Sequence, residues 1–271
     1  MNLRRAAGYL VLAAAALVFL YPLVWMALLS LEPQDEAGTF VPLSGHFTLA
    51  NYAAVLAEIP IGRALANSLF VASATTLSVI AFSALTGYAL ARLRFKGRNL
   101  IFSIVLATLA IPFQLTLIPL YELIVKLGWT DTYWALIAPN AITALGILIF
   151  RQTFVTLPEE LIEAARIEGA SELQILTRVF LPVSLPAIVT VGILTFMNSW
   201  NDVLWPIIVI RNQSMMTLPQ LVVAFSTGGQ ADGLPGQQFA AAMFVVVPIL
   251  LAYALFQRYF IASLATSGIK G

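Results

Sequence analysis

The sequence predicts an all-α polytopic membrane protein, with six transmembrane helices and a cytoplasmic loop of two short helices. Three observations support this fold class. The 271 residues are 60% hydrophobic and only 10% charged, whereas soluble domains are about 45–50% apolar and about 25% charged. Six apolar runs approach the roughly 20 residues that a helix needs to cross a bilayer. The positive charges are distributed unevenly between the loops that join these runs.

The predicted spans are bounded by charged or turn residues. They cover about Ala7–Leu31, Ala64–Ala91, Leu100–Leu120, Tyr133–Phe150, Leu185–Ile210 and Phe239–Phe260. The first span follows two arginines, as a signal peptide does, but it is longer than the usual apolar core and lacks a small-residue cleavage site. We therefore expect it to be retained, and we predict a single membrane domain over residues 1–271.

The basic residues predict the orientation of the spans. With the N-terminus in the cytoplasm, 11 of the 14 Lys and Arg residues lie inside, and only Arg63, Lys126 and Arg211 lie outside. Cytoplasmic loops of membrane proteins carry such an excess of positive charge. Both termini are therefore expected to be cytoplasmic.

The composition excludes several kinds of site. The chain has no cysteine, and its single histidine, His46, lies in a polar stretch. Disulfides, thiolate metal sites and thiol nucleophiles are thus excluded, and no metal site or catalytic histidine is expected within the membrane. A net charge of +1 gives no reason to invoke nucleic acid, which requires a concentrated basic surface.

One cytoplasmic loop, Arg151–Ser184, has the pattern of two short helices separated by a bend. Pro158 suits a first helical turn, where its missing N–H costs nothing. The acidic residues Glu159 and Glu160 complement the positive end of the helix dipole. Because Gly169 can adopt the left-handed conformation that ends a helix, the first helix is predicted between Pro158 and Gly169.

A second helix is predicted immediately after this bend. Ser171 and Gln174 form a capping-box pattern at its start, and Pro182 is expected to stop it. The first helix carries little side-chain bulk, which would let a partner protein approach its backbone; the alternative is a helix lying on the inner leaflet. The residues alone favour neither, although their mixed charges do not form the Lys/Arg-rich face that anionic lipid attracts.

The same loop resembles the EAA loop of the membrane subunits of bacterial ATP-binding-cassette (ABC) importers. That pattern is E-A-A, three residues, G, nine residues and I-x-L-P. It is matched by Glu163–Ala165, Gly169 and Val179–Pro182, with Val179 in place of isoleucine. Four other stretches resemble the six-span subunit of the maltose-type carbohydrate importers: Asn67-Ser68, Gly87–Arg92, Trp200-Asn201-Asp202 and the tail Ser267–Gly271. The resemblance therefore covers essentially the whole chain.

This resemblance implies a permease of the bacterial inner membrane with several partners: a second homologous permease, two copies of an ATPase subunit and an extracytoplasmic solute-binding protein. ATP and Mg²⁺ would bind to the ATPase, since this chain has no G-x-x-x-x-G-K-[ST] run. We therefore expect a transport subunit without a cofactor or an enzymatic activity of its own. The residues implied to contact the ATPase are Glu163, Ala164, Ala165, Arg166, Glu168 and Gly169 in the loop, and Ser267, Gly268, Lys270 and Gly271 in the tail.

Two other functional classes compete with this interpretation. A secondary transporter driven by an ion gradient uses buried ionisable groups, but Asp202 is the only acidic residue in the predicted spans. An intramembrane enzyme would need a histidine, a cysteine or paired carboxylates there. The solute stays open, because the resembling subunits serve importers of sugars, polyols and glycerol phosphodiesters. We expect a neutral sugar, the commonest solute class in the family.

The fifth predicted span carries a polar strip. Thr195, Asn198, Ser199 and Asp202 fall within about a 100° sector at helical rotation, and Asn201 lies off this strip. A polar face is costly in lipid, so it is expected to turn towards protein or a water-filled cavity. Two hypotheses remain, lining of a translocation pathway and hydrogen bonding between packed helices.

Overall fold

The structure is a computed structural model that describes residues 3–33, 46–228 and 234–268. Its first helices are α1 (Leu3–Ser30), α2 (Ala50–Glu58), α3 (Ile61–Arg92), α4 (Arg98–Thr108), α5 (Phe113–Lys126), α6 (Tyr133–Ile137) and α7 (Ala144–Thr156). They are followed by α8 (Glu160–Ile167), α9 (Glu172–Ile175), α10 (Leu181–Val183), α11 (Leu185–Asn201), α12 (Leu204–Val209), α13 (Leu218–Thr227) and α14 (Pro235–Gly268). A π-helical turn, Leu176–Phe180, joins α9 to α10.

Long apolar helices and bent helix pairs provide the candidate membrane spans. In the described ranges, three stretches are long and apolar enough to cross a membrane: Gly8–Ser30, Ile61–Arg92 and Pro235–Ala254. Three bent pairs add to them: α4 with α5 at 101°, Tyr133–Asn140 with α7 at 42°, and Glu172–Val183 with α11 at 84°. The predicted polytopic helical fold is confirmed, with up to six spans if each bent pair counts as one.

The third predicted span, Leu100–Leu120, differs from a single helix. α4 ends at Thr108, and α5 begins at Phe113 after the 101° bend and continues to Lys126. Pro112 precedes α5 with an extended backbone, at φ −62° and ψ 135°. A proline ring also disfavours the helical conformation of the residue before it, which accounts for the break.

The fifth predicted span, Leu185–Ile210, is also interrupted. α11 ends at Asn201 and the short α12 follows from Leu204. Pro206 has no N–H to donate to the carbonyl of Asp202, so the helical ladder loses a bond at this point. The Asp202 carboxylate instead accepts the backbone N–H of Trp205 at 3.4 Å, which caps the first turn of α12.

The described residues form two compact units, one within 1–64 and 218–252 and the other within 65–217 and 253–271. In the first unit, Asn51 links α2 to the end of α1. Its buried side-chain amide donates to the carbonyls of Ser30 at 3.0 Å and Glu32 at 2.8 Å. The hydroxyls of Tyr52 and Ser30 are 2.7 Å apart.

One apolar cluster in the core of the second unit is shared by α3, α7, α8, α9, the π turn and α11. We call it the loop cluster; it comprises Val79, Ala84, Tyr88, Phe150, Phe154, Ile162, Ala165, Ile175, Leu176, Phe180, Ala187 and Val191. α3 approaches α7 closely at Gly87, where an added Cβ would lie 2.8 Å from the Phe150 Cβ. The cluster therefore joins the two-helix loop (residues 151–184) to candidate spanning helices.

Candidate functional site

The two-helix loop has the predicted bend. α8 is followed by Gly169 at φ +80°. The N–H groups of Gly169 and Ala170 donate to the carbonyls of Arg166 and Ala165, each at 3.0 Å. This is a Schellman motif, in which a glycine takes the left-handed position. Pro158 lies two residues before the first helical residue, Glu160, rather than in the first turn.

The second helix of the loop begins as predicted but ends later. Ser171 and Gln174 form a complete capping box, with the Ser171 N–H donating to the Gln174 side chain at 2.8 Å. The helical stretch then continues through Pro182 to Val183. Pro182 does not stop it because the preceding turn is π-helical, a form that accommodates a lost i to i−4 hydrogen bond. The break comes at Ser184.

The α8 helix presents one buried and one exposed face. Ile162 and Ala165 belong to the loop cluster, so the small side chain of Ala165 packs against its own chain instead of lying on an external surface. Glu163 and Ala164 are exposed. Ile167 is 87% exposed, an unusual position for a large apolar side chain at the end of a polar helix. The family pattern did not indicate Ile167, because it falls between the patterned positions.

A polar bridge links α8 to α3 through the start of α9. The Tyr88 hydroxyl donates to Oε2 of Glu172 at 2.6 Å, and Arg166 donates to Oε1 from Nε at 3.1 Å and from Nη2 at 2.7 Å. The hydrogen bond to Glu172 raises the pKa of Arg166.

Arg92, at the end of α3, fixes the chain where α7 leads into the loop. Its guanidinium donates to the carbonyl of Phe154 from Nε at 3.0 Å and from Nη2 at 2.7 Å, and also to the carbonyl of Leu157. The Arg92 Cζ lies 5.5 Å from the centroid of the Phe180 ring. These contacts satisfy carbonyls at the end of α7 that have no partner within the helix.

A cavity of about 550 Å³ lies in the second unit, and the four residues of the predicted polar strip all line it. Thr195, Asn198 and Ser199 come from α11, and Asp202 follows the end of that helix. Asn201, which lies off the strip by helical rotation, lines the cavity as well, and its amide donates to the Met197 carbonyl at 2.8 Å. Other elements contribute polar groups that the strip did not predict: Thr75, Asn140, Thr143 and Thr217.

The cavity wall combines neutral hydrogen-bonding groups with apolar surface. The hydroxyls of Thr75 and Thr217 have no hydrogen-bond partner among the described residues. These two residues are only 2% and 4% exposed, so their hydroxyls are almost inaccessible from the cavity. Phe113, which is 38% exposed, supplies aromatic surface, whereas Trp205 lines the cavity but is only 1% exposed. Among the described residues of the wall, Asp202 alone carries a charge and none is cationic.

The tail residues can be placed only in part. Ser267 and Gly268 are the last residues of α14. Lys270 and Gly271 lie outside the described residues.

A comparison of the sequence with protein families finds a match to the family described as "Binding-protein-dependent transport system inner membrane component", over residues 80–265. The chain is 36% identical over 266 residues to the arabinooligosaccharides transport system permease protein AraQ of Halalkalibacterium halodurans, covering 96% of this chain and 94% of that protein. It is 34% identical to the trehalose/maltose transport system permease protein MalG of Thermococcus litoralis, covering 94% and 93%.

A third relative has a charged solute in its name. The chain is 35% identical to the sn-glycerol-3-phosphate transport system permease protein UgpE of Pectobacterium atrosepticum, covering 77% of this chain and 74% of that protein. Among solved structures, the fold resembles a chain of a bacterial ABC transporter involved in the import of the acidic polysaccharide alginate. The TM-score is 0.81 at 23% identity, covering 94% of this chain and 95% of that one.

Proposed function

The chain belongs to the family of inner membrane components of binding-protein-dependent transport systems, and from this premise we propose that it forms half of the translocation pathway for a neutral sugar. It is a permease subunit of an ABC importer and not an enzyme in its own right. In this proposal it pairs with a second homologous permease and two ATPase subunits, which bind ATP and Mg²⁺. An extracytoplasmic binding protein delivers the solute. Membership of this family argues against the two alternatives, an ion-driven transporter and an intramembrane enzyme.

The composition of the cavity wall carries the proposal of a neutral solute. Its hydroxyl and amide groups can donate and accept hydrogen bonds, as the hydroxyls of a sugar require. Aromatic surface from Phe113 suits the apolar face of a sugar ring. A phosphate group would need a cation or several free N–H donors to offset its desolvation, and the described wall contributes Asp202 as its only charge.

The exposed face of α8 supports docking to the ATPase rather than to lipid. Two large apolar side chains of α8 are exposed, Leu161 to 38% and Ile167 to 87%, beside the exposed Glu163, Ala164 and the following Glu168. This mainly acidic surface is not the basic, apolar-striped pattern of a lipid-surface helix. In the proposal, Ile167 inserts into a groove of the ATPase, Glu163 pairs with a basic residue there, and Ala164 permits close approach. The tail residues Ser267, Gly268, Lys270 and Gly271 are further proposed contacts with the same subunits.

The pathway can be tested by cysteine labelling, because the chain contains no cysteine. We expect Thr195→Cys, Ser199→Cys and Asp202→Cys to react with a small hydrophilic thiol reagent when the assembled importer is trapped with ATP, and arabinotriose to slow the reaction. Met197→Cys, on the same helix but outside the described cavity wall, serves as the control and should show no solute protection. If the three cavity positions stay unreactive in every nucleotide state, the strip only packs against other helices.

A further inference from the structure

Tyr88 is a buried tyrosine whose hydroxyl makes a single long-range contact. It is 3% exposed, and its ring packs edge-on against Phe154 and Phe180 with centroid distances of 6.2 and 5.3 Å. Its hydroxyl reaches out of this apolar environment to the Glu172 carboxylate, 84 residues along the chain. Packing alone would be served equally well by phenylalanine, so the hydroxyl requires a separate explanation.

Glu172 is the central residue of the bridge because each of its oxygens has a different partner. Oε2 accepts from Tyr88 of α3, and Oε1 accepts from Arg166 in the last turn of α8. Arg166 directly precedes the exposed Ile167. Hydrogen bonds to charged groups are directional and stronger than neutral ones, whereas the apolar contacts of the loop cluster are non-directional. The Arg166 and Glu172 side chains are 49% and 42% exposed, so the bridge adds a directional link between α8 and α3 to the packing of the loop cluster.

We propose that Tyr88, Glu172 and Arg166 act as positioning residues that couple a displacement of α8 to α3. The proposal rests on the proposed function, in which the ATPase docks on α8. α3 also carries Thr75 in the cavity wall, about 20 Å from Tyr88 along the helix at about 1.5 Å per residue. A shift imposed on Arg166 is passed through Glu172 to a rigid helix that reaches the cavity. The bridge thus links the docking face to the pathway within one unit.

The test compares Tyr88→Phe with wild type in the complete importer, reconstituted in proteoliposomes with its ATPase and binding protein. This substitution keeps the ring and removes only the hydroxyl. We expect the amount of sugar imported per ATP hydrolysed to fall about tenfold. This is the change in an equilibrium constant that corresponds to losing one hydrogen bond to a charged group. Basal ATP hydrolysis and assembly with the ATPase should remain. Glu172→Gln should have a similar effect, and the double variant should be no worse than either single one.

Tyr52→Phe is the matched control, because its hydroxyl also makes a 2.7 Å contact, with Ser30 in the other unit. It should leave the ratio of import to hydrolysis unchanged. The proposal is overturned if Tyr88→Phe transports with the wild-type ratio, or if its uptake falls only in proportion to lost assembly. If the importer that carries Glu172→Gln fails to assemble, the result for Tyr88→Phe alone decides whether the proposal holds. Failure of the wild-type importer to carry any neutral sugar would instead contradict the proposed function.

Discussion

At the scale of single residues, Gly169 and Gly128 end two different helices with the same backbone geometry. Their φ angles are +80° and +67°. The residue after each donates its N–H to the carbonyl five positions earlier at 3.0 Å, Ala170 to Ala165 and Trp129 to Ile124. A Cβ added to either glycine would meet no atom within 4 Å. The two sites therefore impose the same backbone strain on alanine but lie in different loops.

This pair separates the local role of Gly169 from its proposed role in docking. Both Gly169→Ala and Gly128→Ala should lower the free energy of unfolding by about 1–2 kcal/mol, the cost of a left-handed backbone with a side chain. Only Gly169→Ala should also lower uptake per assembled complex, because its new methyl group projects from the two-helix loop that is proposed to dock on the ATPase. Thermal unfolding and uptake by the reconstituted importer measure the two effects. Equal uptake by both variants would assign Gly169 to helix termination alone.

At the scale of helices, Gly87 permits a close approach of α3 to α7. A Cβ there would lie 2.8 Å from the Phe150 Cβ, 3.0 Å from the Arg151 nitrogen and 3.3 Å from the Ile147 oxygen. None of these atoms can rotate away, since two belong to the backbone and the third is fixed to it. Even the smallest side chain at this position must separate the two helices.

Gly87→Ala is therefore expected to destabilise the protein although alanine is the better helix former. The overpacking should cost about 1–3 kcal/mol and lower the unfolding temperature of the purified complex. Gly62→Ala is the control in the same helix, since a Cβ there meets nothing within 4 Å; it should be neutral or slightly stabilising. An unfolding temperature for Gly87→Ala at or above that of wild type would refute the close packing of these helices.

The helix ends show which features local sequence determines. The capping box at Ser171 and the left-handed Gly169 were predictable because each depends on residues within one turn. The break at Asp202 was not predictable in this way. An apolar run indicates how long a span can be, but it does not show that a proline will interrupt the helix or that a carboxylate will accept an N–H of the helix that follows. Ala165 was placed with the docking residues because the family pattern gives positions and not faces. Only the tertiary contacts of α8 separate its buried side from the exposed Ile167.

At the scale of the whole molecule, charged side chains are concentrated outside the predicted spans, and the cavity wall likewise carries little charge. Only 27 of the 271 residues are charged at neutral pH, 14 Lys and Arg and 13 Asp and Glu. Asp202 is the only one among the described residues of the cavity wall. Because transfer of an ion from water into a site of low polarity is costly without a counter-charge, the molecule is expected to discriminate between solutes by charge before it discriminates by shape.

The relatives differ in the charge of the solutes they are named for. The cavity predicts that this chain accepts neutral solutes and excludes anionic ones. Thr195→Cys in the ATP-trapped importer provides the assay, because protection from labelling reports solute in the cavity directly. Arabinotriose or maltose should protect the cysteine, whereas sn-glycerol 3-phosphate at the same concentration should not, because its phosphate meets a carboxylate and no cation. Adding Asp202→Asn removes the repulsion and should allow weak protection by the phosphate, leaving protection by neutral sugars largely intact. Equal protection by sn-glycerol 3-phosphate and maltose without that second substitution would contradict selection against anions at this cavity.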